Sequence, residues 1–156
     1  MRRHVKLLTV VGLLGVVALM IARQSSAQNS DHFDEQNLRG VYVGSLTGFP
    51  NGFLVNGVAT AGVAIITADG AGNLTFEGRV NSGGAYQTPP PITCGYEIEP
   101  SGFGTVGTNT MPCTVNAIPV PRAFTILLSQ GGTSFDIITK PPSSSVLSGH
   151  FVRRQG

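Results

Sequence analysis

The sequence contains no tryptophan, and charged residues make up only 12% of it. It has no clustered Lys/Arg stripe of the kind that nucleic-acid binding demands, so no nucleic-acid partner is expected. The basic pair Arg153-Arg154 reads as a solvated tail. Histidine and cysteine are equally scarce. Beyond the N-terminus only His32, His150, Cys94 and Cys113 remain, and no histidine lies at ligand spacing from a cysteine, so no metal site is expected. There is no Walker sequence and no Gly-x-Ser-x-Gly elbow, which removes phosphate cradling and the usual serine-hydrolase geometry. Ser148 stands two residues before His150, but on a strand such neighbours merely share a face. No cofactor is expected, and no catalytic residue is assigned.

What the chain does have begins at its N-terminus. Arg2, Arg3 and Lys6 precede an apolar run from Leu7 to Ala22, and small residues follow, the three-part layout of a secretory signal peptide. The run is shorter than the roughly 20 residues that cross a hydrocarbon core, and Ser25 and Ala27 suit the positions before a cleavage point. Residues 1–27 are therefore expected to be a signal peptide cleaved after Ala27, the protein being secreted or periplasmic. The alternative is an uncleaved N-terminal helix that anchors the chain. Cleavage would remove four of the ten basic residues, leaving six against eight acidic ones and a net charge of −2. With the signal gone, nothing favours a membrane surface.

Residues 28–37, "QNSDHFDEQN", are polar and aperiodic and predict a flexible leader. Residues 38–156 then form one domain of short Val, Ile, Thr and Phe runs punctuated by Gly, Asn and Pro, the texture of strands and turns. No window of about a dozen residues carries a capped helical stripe. Eight strands are expected, over 38–47, 57–67, 73–81, 93–98, 105–111, 123–128, 134–139 and 146–153. Segments around Pro89-Pro90-Pro91, Pro119 and Pro141-Pro142 cannot pair as interior strands and predict rim loops.

The stretch "TADGAGNLTFEG" offers Asp69, Gly70, Gly72 and Asn73 in close succession. A calcium loop needs more oxygen ligands than this. A partial copy, "IEPSGFGTV", aligns Gly70 with Gly102 and Gly72 with Gly104 but has Ser101 in place of the carboxylate. A reused hairpin turn explains the repetition better than two ligand sites. In an exported chain Cys94 and Cys113 are expected to form one disulfide. A hairpin turning near Phe103 would set them opposite each other.

Sequential hairpins without helical crossovers imply an all-β fold: a small antiparallel up-and-down β-barrel of about eight strands, with a β-sandwich as the alternative. The layout "LRGVYVGSLTGF", "DGAGNLTFEG", "CGYEIEPSGFGT" and "LSGHFVRRQ" resembles a group of uncharacterised exported bacterial domains with Gly-x-Tyr and Asp-Gly-x-Gly-Asn signatures. More distantly, Leu38-x-Gly40-x-Tyr42 with Arg153 is similar to lipocalin-type (calycin-like) barrels, with Tyr42 where that family has tryptophan. That resemblance implies a calyx holding a small apolar ligand. The function expected first is thus a non-enzymatic barrel that binds a small apolar ligand or envelope component. A structural or adhesive module engaging an envelope or extracellular macromolecule through its Pro-rich loops is the alternative. A cyclase- or isomerase-type barrel enzyme would need a polar cluster in the barrel mouth, for which Glu77, Tyr96 and His150 are the nearest candidates.

Overall fold

Strict alternation of buried and exposed side chains governs the strands. In the first of them Tyr42 and Leu46 point inward, while Val41, Val43 and Ser45 point out. The computed structural model describes residues 32–49, 59–141 and 146–155, so the expected signal peptide and its cleavage at Ala27 lie outside the described residues. In chain order the strands are β1 (Arg39–Phe49), β2 (Thr60–Asp69), β3 (Asn73–Ser82), β4 (Ala85–Gln87), β5 (Ile92–Ile98) and β6 (Phe103–Val106). They continue with β7 (Cys113–Val115), β8 (Ile118–Val120), β9 (Phe124–Leu128), β10 (Ser134–Thr139) and β11 (Val146–Arg153).

Eight of these close into a barrel in the order β1-β2-β3-β5-β6-β9-β10-β11, with β11 returning to β1, and every pairing is antiparallel. The pairing of β3 with β5 (Leu74 opposite Cys94) closes the ring and excludes the sandwich. Closure removes the free edges of the barrel strands. Strands β4, β7 and β8 were not expected. They are three-residue strands in the proline-rich connections, and Pro119 sits on β8 at the sheet's outer edge, where a missing N–H costs no ladder bond.

The interior is filled. Phe135 and Phe151 stack at 5.2 Å between ring centres, with Tyr42 edge-on to Phe135 at 5.0 Å and Phe76 edge-on to Phe151 at 6.4 Å. Glycines on the inward faces make room for them. A Cβ on Gly44 would overlap the His150 carbonyl and lie 2.7 Å from the Phe151 ring, and one on Gly149 would lie 2.7 Å from Leu46. Small residues beside large rings thus let a narrow barrel reach dense packing.

Two local expectations need correction. The fifth barrel strand spans Phe103–Val106 and not residues 105–111, because at Gly107 (φ +69°) the chain leaves the ladder for a turn in which Met111 N–H bonds to Thr108 Oγ1. The preceding hairpin turns at Glu99–Gly102, not near Phe103: Gly102 N–H donates to the Glu99 carbonyl, and Ile98 faces Gly104. Cys94 and Cys113 are nevertheless directly opposed and disulfide-bonded, because β7 pairs with the first half of β5 after that excursion.

The bridge closes a loop over a sequence separation of 19. Its reduction is expected to lower the unfolding free energy by about 3 kcal/mol, measurable as a lower urea midpoint with dithiothreitol than without. Gly44→Ala is expected to destabilise by about 3 kcal/mol through overpacking against Phe151 and the His150 backbone, read from the same denaturation curves.

Candidate functional site

The two ends of the barrel are built from different connections. The tight turns after β2, β5 and β9 all lie at the end where β1 begins, and among the described residues the proline-rich connections that carry β4, β7 and β8 lie at the other. The first end is closed. Asp34 caps a 3-10 turn, Glu35–Asn37, by accepting from Gln36 N–H, while the Asn37 side chain accepts from Asp34 N–H. Of the expected leader, residues 28–31 lie outside the described residues, while Asp34–Asn37 fold against the barrel, which binds their backbone. Tyr96 O–H, inside β5, shares its hydrogen between the carbonyls of Leu38 (2.9 Å) and Glu35 (3.0 Å), and Ile98 N–H donates to Glu35 Oε1 at 3.1 Å.

The first and last strands complete the closure. Arg153 lies 5.4 Å from the centre of the Tyr42 ring, within cation–π range. Its Nη2 donates to Tyr42 Oη and to the Asn37 carbonyl, both at 2.9 Å, and Tyr42 O–H donates to the Gly132 carbonyl at 2.9 Å. The turn glycines provide seats for this plug. A Cβ on Gly102 would lie 3.1 Å from the Phe33 ring, and one on Gly132 (φ +60°) would overlap the Asn37 carbonyl.

The residues singled out in "TADGAGNL" do local work. Asp69 Oδ1 accepts from Ala71 N–H (2.7 Å) and Asn73 N–H (3.0 Å), and Oδ2 accepts from Asn73 Nδ2 (2.8 Å). The Asn73 side-chain amide, then the two backbone donors, hold this exposed carboxyl below the usual aspartate range. Gly70 (φ +76°) and Gly72 (φ +94°) supply the left-handed turn. The alignment of Gly72 with Gly104 does not carry into the structure. Gly104 is an inward strand residue of β6, where a Cβ would lie 2.6 Å from Ile98, so the two hairpins turn at different points of the shared motif.

The other end is the mouth. On the outer side of its rim the cross-strand row Ile138, Ser148, Thr47, Ala61 and Asn81, all facing outward, borders with Phe49, Val146 and Leu147 an open depression of about 880 Å³. Residues 50–58, between β1 and β2 in sequence, lie outside the described residues.

The three candidates for an enzymatic cluster do not meet. Tyr96 points inward at the closed end, whereas Glu77 and His150 face outward on β3 and β11. What sequence reading missed is the partner of His150. Asp136 is its cross-strand neighbour, and its Oδ1 lies 2.8 Å from His150 Nδ1 on the outer wall. The two are fourteen residues apart, and only the β10–β11 register joins them. Ser45 occupies the next position in that row, and the groove there measures about 540 Å³. Among the described residues no group of three or more His, Cys, Asp or Glu could hold a metal ion, and no helix is long and apolar enough to cross a membrane.

No known protein family matches the chain, and no curated protein matches it in sequence. Among solved structures, the crystal structure of Rv2717c from M. tuberculosis is similar over 76% of this chain and 94% of its own, at 14% identity and a TM-score of 0.37. The barrel assignment rests on the strand pairing itself.

Burial, with a smaller contribution from the carboxylates of Asp69 and Glu35, pushes the Tyr96 phenol up to about 12. A group whose pKa is raised by folding contributes stability at neutral pH that is lost as pH climbs from the ordinary phenol value through the raised one. Unfolding free energy is therefore expected to fall between about pH 10 and pH 12 in the natural protein. The fall should be smaller in Tyr96→Phe, which is less stable at pH 7 for want of the Leu38 and Glu35 contacts. Urea titrations at a series of pH values, with absorbance at 295 nm for phenolate, check both.

Proposed function

We propose that this chain is an exported, non-enzymatic, calycin-like barrel that holds a small apolar ligand, or the apolar part of an envelope component, at its mouth. The observation that carries this reading is the contrast between the two ends. One end is plugged by Asp34–Asn37 above a filled aromatic core, and the other carries, on the outer side of its rim, a depression bordered by Phe49, Ile138, Val146 and Leu147. Concave, mostly apolar sites with a few polar groups are the usual form of small-molecule pockets. Thr60, whose Oγ1 lies 2.8 Å from Ser82 Oγ, provides hydroxyls at this rim. A ligand deep inside, as the lipocalin resemblance implies, finds its space taken by Phe135 and Phe151, so the rim is the better site.

Three further features support the reading. Arg153 of the last strand lies over the ring of Tyr42 in the first, the two residues on which the lipocalin resemblance was drawn. The Cys94–Cys113 disulfide suits an oxidising compartment. The separation of Glu77, Tyr96 and His150 favours binding over turnover. A second reading, macromolecular adhesion, is favoured by Tyr86 (71% exposed) and Ile118 (67%), which stand out from the short strands β4 and β8.

Titration with the apolar fluorophore N-phenyl-1-naphthylamine distinguishes the two. Saturable, blue-shifted emission that Leu147→Gln weakens several-fold, and that Tyr86→Ser/Ile118→Ser leaves alone, is the expected result. Native mass spectrometry of protein purified from its own host should then show a co-purified small molecule. No saturable emission and no bound small molecule would sink the ligand reading and leave the adhesive one.

A further inference from the structure

The outer wall around β1 carries apolar side chains that the barrel's own packing does not use. Val41, Val43, Val63, Ile65 and Val152 point outward and are between 36% and 61% exposed. The strand register makes most of them direct neighbours, with Val43 flanked by Val152 on β11 and Ile65 on β2. Contiguous exposed apolar surface of this kind marks an interaction face more often than bare wall. At its border, β3 places Glu77 beside Ile65 and Arg79 beside Val63. Among the described residues neither is ion-paired: the Arg79 guanidinium donates to the adjoining Gly78 carbonyl at 3.0 Å, and the Glu77 carboxylate has no partner.

We propose that this face docks a second copy of the same chain about a two-fold axis running across the strands along the row Gly44, Ala64 and Gly78. Glu77 and Arg79 flank that row on opposite sides, as do Ile65 and Val63. Rotation about the axis sets Glu77 against the partner's Arg79 and Ile65 against the partner's Val63, each contact occurring twice. An isologous interface requires this self-complementarity. One acidic and one basic residue at equal distances from the axis neutralise each other across it, and this selects a second copy as the occupant over a partner of one charge sign. Because the axis crosses the strands, the two copies run antiparallel and their mouths open in opposite directions.

Sedimentation velocity of the purified protein across the micromolar range is expected to show a monomer–dimer equilibrium. Glu77→Arg and Arg79→Glu should each raise the dissociation constant by about tenfold or more, as expected for loss of close interfacial charge pairs, while the double reversal Glu77→Arg/Arg79→Glu restores it. Val63→Thr/Ile65→Thr should also dissociate the dimer. Circular dichroism checks that each variant folds, and Glu77→Gln replaces any reversal that does not. A monomer at every concentration, a dimer indifferent to the single reversals, or a double reversal that fails to restore association would each overturn the proposal.

Discussion

The Tyr42 hydroxyl is the point on which the closure of this barrel depends. It donates to the carbonyl of Gly132 and accepts from Arg153, whose guanidinium also holds the carbonyl of Asn37. One side chain from the first strand therefore ties together the last strand, the turn before β10 and the segment that enters the fold. The guanidinium is held by a phenol, a backbone carbonyl and an aromatic face. Hydrogen bonds to charged groups are stronger than neutral ones, and leaving a buried member unpaired costs more than the bond itself contributes. No described residue leaves a buried side-chain nitrogen or oxygen without a partner, so the closed end is polar yet fully satisfied.

Around that point the packing follows from a division of labour between glycine and aromatic residues. With aromatics at 7% of the sequence, only a few rings are available, and several of them occupy the axis of the barrel. The inward glycines of β1 and β11 let the Phe151 ring approach the strand backbones, and that of β6 makes room for Ile98 and Ile126. Space that could have been a calyx is thereby converted into core. The polarity of the molecule follows: the three tight turns gather at the plugged end, and the connections rich in proline gather at the mouth. A function located at the mouth and a contact located on the outer wall can then operate without disturbing the core.

A good share of this was legible in one dimension. Alternation in "NLTFEGRV" and the Gly-Asn punctuation around it point to β3 and its hairpin, and seven of the eight barrel strands lie close to the expected stretches, Phe103–Val106 being the exception. Two cysteines in a chain that reads as exported leave a single intramolecular pairing. The plug was not legible. "DEQN" is polar and looks like a leader because its order comes from its backbone carbonyls, which Tyr96 and Arg153 bind from distant strands. Nor was the companionship of Asp136 and His150, or of Glu77 and Ile65, because each depends on a register that a one-residue slip would move to the other face.

Local chemistry by itself determined the all-β class, the antiparallel meander, the turn role of Asp69 to Asn73 and the pairing of Cys94 with Cys113, since alternation, turn preference and cysteine count act over short stretches. Tertiary structure alone decided that β3 meets β5 to make a barrel and not a sandwich, and that the interior is packed and not hollow. It also decided which apolar residues of β1 and β2 remain on the outside. Those outcomes depend on how strands distant in sequence come into register and on how ring volumes fit against glycine backbones, quantities that no local pattern encodes.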